Sequence, residues 1–186
     1  MKKHHYFVLA AILLIPVFHF SSCNKVKQIT AFDVLYTLPT TNFTYTPTTM
    51  KSGEELLYTG AIEANLDSIL TANGFSPGVV GNTQFIECTV TIVQPSEVTF
   101  GWLQSARGEI SDNPGFSPAQ EVGSVINDDP EATTVVLILN NTNIRPYLGA
   151  TFFYFRVLGV LNGPVPAEWV ELAINGKLLM HLEPLD

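Results

Sequence analysis

From Val170 to Leu182 the apolar residues Val170, Leu172, Ile174, Leu178, Met180 and Leu182 keep one two-residue phase. Trp169, Glu171, Asn175, Lys177 and His181 keep the other. A period of two is the pleat of a strand with one buried face. The alternation passes through Asn175-Gly176, a pair that favours a two-residue hairpin. A hairpin there would set Glu171 against Met180 and Val170 against His181, mixing polar and apolar side chains on both faces. Register follows the buried face. The spacing therefore predicts one long strand, bent or bulged at Gly176.

Strand periodicity recurs through the rest of the chain. Phe32, Val34, Tyr36 and Leu38 alternate within Ile29–Leu38, and Phe43, Tyr45 and Pro47 within Thr41–Thr49. Pro47 suits an edge, since proline donates nothing to a ladder. Ile86, Cys88, Val90 and Ile92 share a phase, which makes Cys88 a small buried hydrophobe. Val98, Phe100, Trp102, Ala106 and Ile110 share another, opposite Thr99, Ser105, Arg107 and Glu109. Thr133–Leu139 and Ala150–Leu161 are apolar on both phases and read as central strands covered on both faces. Ser111–Gln120, rich in Gly, Pro and Asn, reads as a surface loop.

One segment breaks the pattern. Ile62, Leu66, Ile69 and Leu70 fall on a helical stripe and Gly74 follows, predicting a short amphipathic helix over about residues 61–73. About eight strands, one helix and no βαβ alternation predict an all-β fold, a two-sheet antiparallel sandwich.

The N-terminus reads as an address. Lys2 and Lys3 precede Tyr6–Phe18, 13 residues that are apolar apart from Pro16. Crossing a bilayer takes about 20 apolar residues, so this run reads as the core of a signal peptide. It leads to Phe20-Ser21-Ser22-Cys23, which resembles the lipobox of bacterial lipoproteins in the looser form seen in Bacteroidota. Read without that resemblance, the run is an ordinary secretory signal followed by an incidental cysteine. The resemblance implies that residues 1–22 are removed, that Cys23 is lipidated, and that residues 23–28 tether a domain spanning 29–186. It also implies a membrane partner, because several acyl chains, each buried CH₂ contributing ~0.8 kcal/mol, resist release. Asn24-Lys25-Val26-Lys27 is basic where surface-exported members of such families are acidic. The analogy thus implies an outer-membrane lipoprotein facing the periplasm. With Cys23 acylated, Cys88 has no partner and the domain no disulfide.

Composition narrows the chemistry. The formal charge of −8 becomes −10 without Lys2 and Lys3, and clustered phosphate contacts need the opposite sign, so no nucleic-acid partner is expected. His4, His5 and His19 lie in the leader, leaving His181 alone. A zinc site needs three or four ligands. There is no Gly-x-Ser-x-Gly elbow, Walker loop or Gly-x-Gly-x-x-Gly turn. Glu168 and Glu171, three apart, fall on opposite faces of a strand. Asn127–Glu131 is an acidic turn with oxygen ligands suited to calcium but without the EF-hand pattern.

These features predict no catalytic residue, no metal and no cofactor. The expected function is a non-catalytic binding or envelope-scaffolding module with an envelope-protein partner. A first alternative is glycan binding with Trp169 as stacking platform, beside Glu171, Lys177 and His181. A second is hydrolysis by loop carboxylates.

Overall fold

The computed structural model describes residues 31–47, 54–72, 74–149 and 151–183. Cys23, the expected leader and the tether lie outside the described residues. Ten strands form two five-stranded antiparallel sheets: β1 (Phe32–Thr37), β2 (Thr41–Tyr45), β3 (Glu54–Glu63), β4 (Val80–Gln94), β5 (Leu103–Ser111), β6 (Gln120–Ile126), β7 (Thr134–Val136), β8 (Ile138–Leu139), β9 (Phe152–Leu161) and β10 (Val170–Leu182). Helix α1 (Leu66–Ala72) follows β3. The fold is the expected two-sheet sandwich.

The first sheet runs β1-β10-β4-β7, with β2 also on β10. One edge of β10 is shared between two short strands: Lys177–Leu182 pairs with β1 and Val170–Ile174 with β2. β10 is a single strand through Asn175-Gly176, as its apolar phase requires. Gly176 is where the β1–β2 connection crosses: Leu38 N–H donates to its carbonyl at 2.9 Å. A Cβ on Gly176 would lie 3.0 Å from Leu38 and 3.1 Å from Phe85. The glycine is there for close approach, not for a turn.

The irregularity itself sits one residue further on. Lys177 faces Glu87 and Leu178 faces Phe85, so Ile86 is the extra residue of a bulge in β4. The bulge corrects one expectation. Phe85, Cys88, Val90 and Ile92 are buried, but Ile86 is turned out to solvent. Cys88 is fully buried, and burial pushes its thiol up to about 12.

The second sheet runs β3-β9-β5-β6-β8. Three further expectations change here. The helix starts at Leu66, not near 61, because Glu54–Glu63 pairs with β9 as far as Glu63↔Phe152. Ile62 fits either period, and the ladder decides it. Gly74 does end the helix: at φ +80° it donates to Thr71 O at 3.0 Å, and Phe75 N–H donates to Leu70 O at 2.8 Å, the paired bonds of a Schellman cap.

Thr133–Leu139 is an edge, not a central strand. It passes from the first sheet as β7 to the second as β8, burying Leu137 between them and leaving Val136 and Ile138 exposed. Its second apolar phase, Val136 and Ile138, faces solvent, and only Val135 and Leu137 are buried. β9 is central, yet one phase alone, with Phe153, Phe155, Val157 and Leu161, points inward, while Phe152 is exposed on the open outer face.

Between the sheets Phe85 meets Phe155 and Phe153 at 6.0 and 6.3 Å, and Trp102 stacks on Tyr45 at 5.8 Å. No helix among the described residues is long and apolar enough to cross a membrane.

Gly123 tests the β6–β8 register. A Cβ there would lie 2.6 Å from Ile138 O, a backbone atom that moves only if the ladder moves. Gly123→Ala is expected to destabilise by about 1–3 kcal/mol in urea denaturation. Gly163→Ala, with nothing within 4 Å, should stay within about 0.5 kcal/mol.

Candidate functional site

The sequence-predicted residues Trp169, Glu171, Lys177 and His181 all lie on the outer face of the first sheet, because β10 keeps its phase. They form a row, not a cluster. Twelve residues separate Trp169 from His181, about 40 Å at ~3.3 Å per residue.

Trp169, just before β10, is 44% exposed. Glu171 has no hydrogen-bond or ion-pair partner among the described residues. Asn175 Oδ1 accepts from Thr40 Oγ1 at 2.7 Å. Lys177 Nζ lies 2.6 Å from Oε2 of Glu87, its neighbour across the ladder. His181 Nδ1 lies 2.8 Å from Oδ1 of Asp33, its neighbour on β1. Both pairs are well exposed, so each is worth only about 0–1 kcal/mol.

Asp33, Asn82, Gln84, Leu179 and His181 line a shallow depression of about 340 Å³ at one end of the row. The acidic turn at Asn127–Glu131 is closed locally, with Asp129 Oδ1 accepting from Glu131 N–H at 3.0 Å. Among the described residues no three His, Cys, Asp or Glu side chains are grouped to hold a metal.

Two arrangements escaped the sequence reading. One is an ion-pair network on the outer face of the second sheet. Glu109, nearly buried, takes Arg156 at 2.5 Å on one oxygen and Arg107 on the other. Arg107 also grips Glu54 with two bonds, at 2.5 and 2.8 Å. The Arg156 guanidinium sits 4.5 Å over the Phe116 ring, fastening the Ser111–Gln120 loop to the sheet. Glu109 and Arg156 are 47 residues apart and meet only through the β5–β9 register. No sequence pattern announces such a pair.

The other arrangement is a groove of about 470 Å³ on the opposite side of the sandwich from β7–β8, lined by Thr44–Thr46 and Glu54–Thr59. There Tyr45 O–H donates to Glu55 Oε2 at 2.6 Å, while Glu55 Oε1 has no partner among the described residues. Burial, and secondly the Glu55 carboxylate, hold the Tyr45 phenol well above its usual range.

No family model matches the sequence, and no curated protein matches it. Among solved structures, the chain is similar to one from Desmodium yellow mottle tymovirus at 11% identity and a TM-score of 0.31. That alignment covers 84% of this chain and 90% of the other. A likeness at that score carries no argument about fold or function here.

The network carries a pH signature. The hydrogen bond from Arg107, with its charge, holds the Glu54 carboxyl below the ordinary carboxylate range. A depressed folded-state value means stability that is present above the unfolded value and lost as pH falls through the folded one. Urea midpoints should therefore drop on acidification below about pH 4.3, the unfolded glutamate value. Glu54→Gln should flatten that drop and lower the neutral midpoint toward the acid value, by about the amount the pair contributes. An unchanged acid slope would show the pair to be inert.

Proposed function

We propose that this chain is a lipid-anchored, non-catalytic binding module of a bacterial envelope, and that it holds an envelope-protein partner on the outer face of its first sheet. The observation that carries this reading is the exposed Trp169 at the head of a row in which Lys177 and His181 are paired and Glu171 alone is not. Aromatic anchors dominate the energetics of protein interfaces. Lys177 and His181 already have Glu87 and Asp33 beside them, so a partner that covers them strands no charge. A small molecule would need a concave pocket, and the depression beside His181 is shallow.

A glycan is the second reading. It is favoured by the unpartnered Glu171 carboxylate two residues from the indole, since a sugar stacked on Trp169 would offer it hydroxyl donors.

The anchor rests on Phe20-Ser21-Ser22-Cys23 and the basic Asn24–Lys27 stretch behind it. Together they support acylation at Cys23 and a periplasm-facing position on the outer membrane. Cys23→Ala is expected to release the protein from sedimented membranes, and continued sedimentation would refute the anchor.

Trp169→Ala separates the readings of the face. With 44% of the residue exposed, the melting temperature should shift by no more than a few degrees, because surface changes cost about 0.5 kcal/mol. In-cell crosslinking should recover a specific envelope protein with the unaltered chain and lose it with this variant. Loss of retention on a polysaccharide gel, with crosslinking unchanged, would favour the glycan. If neither readout changes, Trp169 is not the anchor.

A further inference from the structure

The two long sides of the sandwich differ. On one, Thr134–Leu139 runs from sheet to sheet and closes the gap. On the other, β3 is the last strand of the second sheet among the described residues, and a groove opens between it and β2 beside the Phe43–Tyr58 ring contact at 4.7 Å. Ala64 N–H donates to Thr151 O, so in the alternation of an antiparallel ladder Ile62 and Gly60 face β9. Thr59, Ala61 and Glu63 therefore turn their N–H and C=O groups to the open edge. Of the usual edge defences, β3 carries a bulge at Leu57 and the inward-pointing Glu55, both of which lie before Tyr58. β3 is 10 residues long, carries no Lys or Pro, and is regular from Tyr58 to Glu63 beyond its bulge at Leu57.

Behind this edge lies Glu55. Its side chain is nine-tenths buried and lines the groove; one oxygen accepts from Tyr45 and the other is unpartnered. A buried carboxylate oxygen without a donor is costly, and among the described residues no donor or cation reaches it. β3 bears Glu54, Glu55 and Glu63 and no basic residue. Arg107 neutralises only Glu54, and Glu63 has no partner among the described residues.

We propose that the β3 edge and the groove behind it accept an extended protein segment bearing a lysine, which adds to the second sheet as a further strand and sets its ammonium on Glu55. Edge addition draws affinity from the backbone and specificity from side chains that enter the groove. A strand added about 4.8 Å from β3 directs its inward side chains between the sheets, toward Tyr45, Tyr58 and Glu55. One free carboxylate oxygen matches a compact ammonium better than the two-pronged guanidinium of arginine. This site is distinct from the β10 face, and its test leaves Trp169 untouched.

The experiment is fluorescence anisotropy with the full-length protein in detergent and a labelled decapeptide of alternating Thr and Lys. Alternating Thr-Glu and Gly-Lys decapeptides are the controls. Saturable binding of the Thr-Lys peptide is expected, with at least tenfold weaker binding of Gly-Lys and none of Thr-Glu. Glu55→Gln keeps an acceptor for Tyr45 and should weaken binding at least tenfold. Ala61→Pro removes an edge donor without touching the ladder and should do the same, whereas Ala61→Thr should bind as the unaltered chain does.

Circular dichroism and melting temperature establish that each variant is folded. No binding of Thr-Lys overturns the proposal and leaves the groove a water-filled gap. Equal binding of Gly-Lys, or binding that survives Glu55→Gln or Ala61→Pro, overturns it as well.

Discussion

The register of β10 is the constraint on which the rest of the first sheet depends. It is hydrogen-bonded to β4 along one edge and to β1 and β2 along the other. Its inward residues Val170, Leu172, Ile174, Leu178, Met180 and Leu182 are all at most 3% exposed. A slip of one residue would exchange that row for Glu171, Asn175, Lys177 and His181. The bulge in β4 follows from the same demand. With Leu38 and Phe85 packed over Gly176, β4 sheds one residue at Ile86 and resumes its inward phase at Cys88. The cost of an exposed Ile86 is small beside that of inverting β10.

The same register determines how much of this molecule the sequence discloses. β10 was legible as one strand despite Asn175-Gly176, because six apolar residues on one phase outweigh a local turn preference. Cys88 was legible as core for the same reason, and Gly74 as a helix end from its place after the stripe; Trp102 is core too, but in a 3₁₀ turn over Phe100–Trp102 and not in the strand its phase suggested. What was not legible came from partners distant in sequence. Nothing in Thr133–Leu139 tells a strand covered by two layers from an edge connector that buries Val135 and Leu137 and leaves Val136 and Ile138 in solvent. Ile62 satisfies helical and strand periods alike, and only β9 decides between them.

The candidate site divides along the same line. Strand phase alone puts Trp169, Glu171, Lys177 and His181 on one outer face. The carboxylates beside Lys177 and His181 come from Glu87 and Asp33, 90 and 148 residues away, and needed the ladder. Tyr45–Glu55 was invisible for a different reason. Its members stand only ten residues apart, but on strands of different sheets, so no in-strand periodicity relates them.

Charge placement then separates the surfaces by what each can offer a partner. On the second sheet, Arg107 and Arg156 are consumed by Glu54 and Glu109, and Arg156 is also spread over Phe116; that face is stiff and self-satisfied. On the first sheet the pairs are exposed and weak, so covering them releases little and costs little, and the energetic weight falls on the indole. Glu55 differs from both, as a buried carboxylate whose second oxygen has no donor. Buried polar groups are paired in the great majority of native structures. An exception beside an open strand edge puts the unmet electrostatic demand and the unmet backbone demand in one place, where a single extended cationic segment would satisfy both.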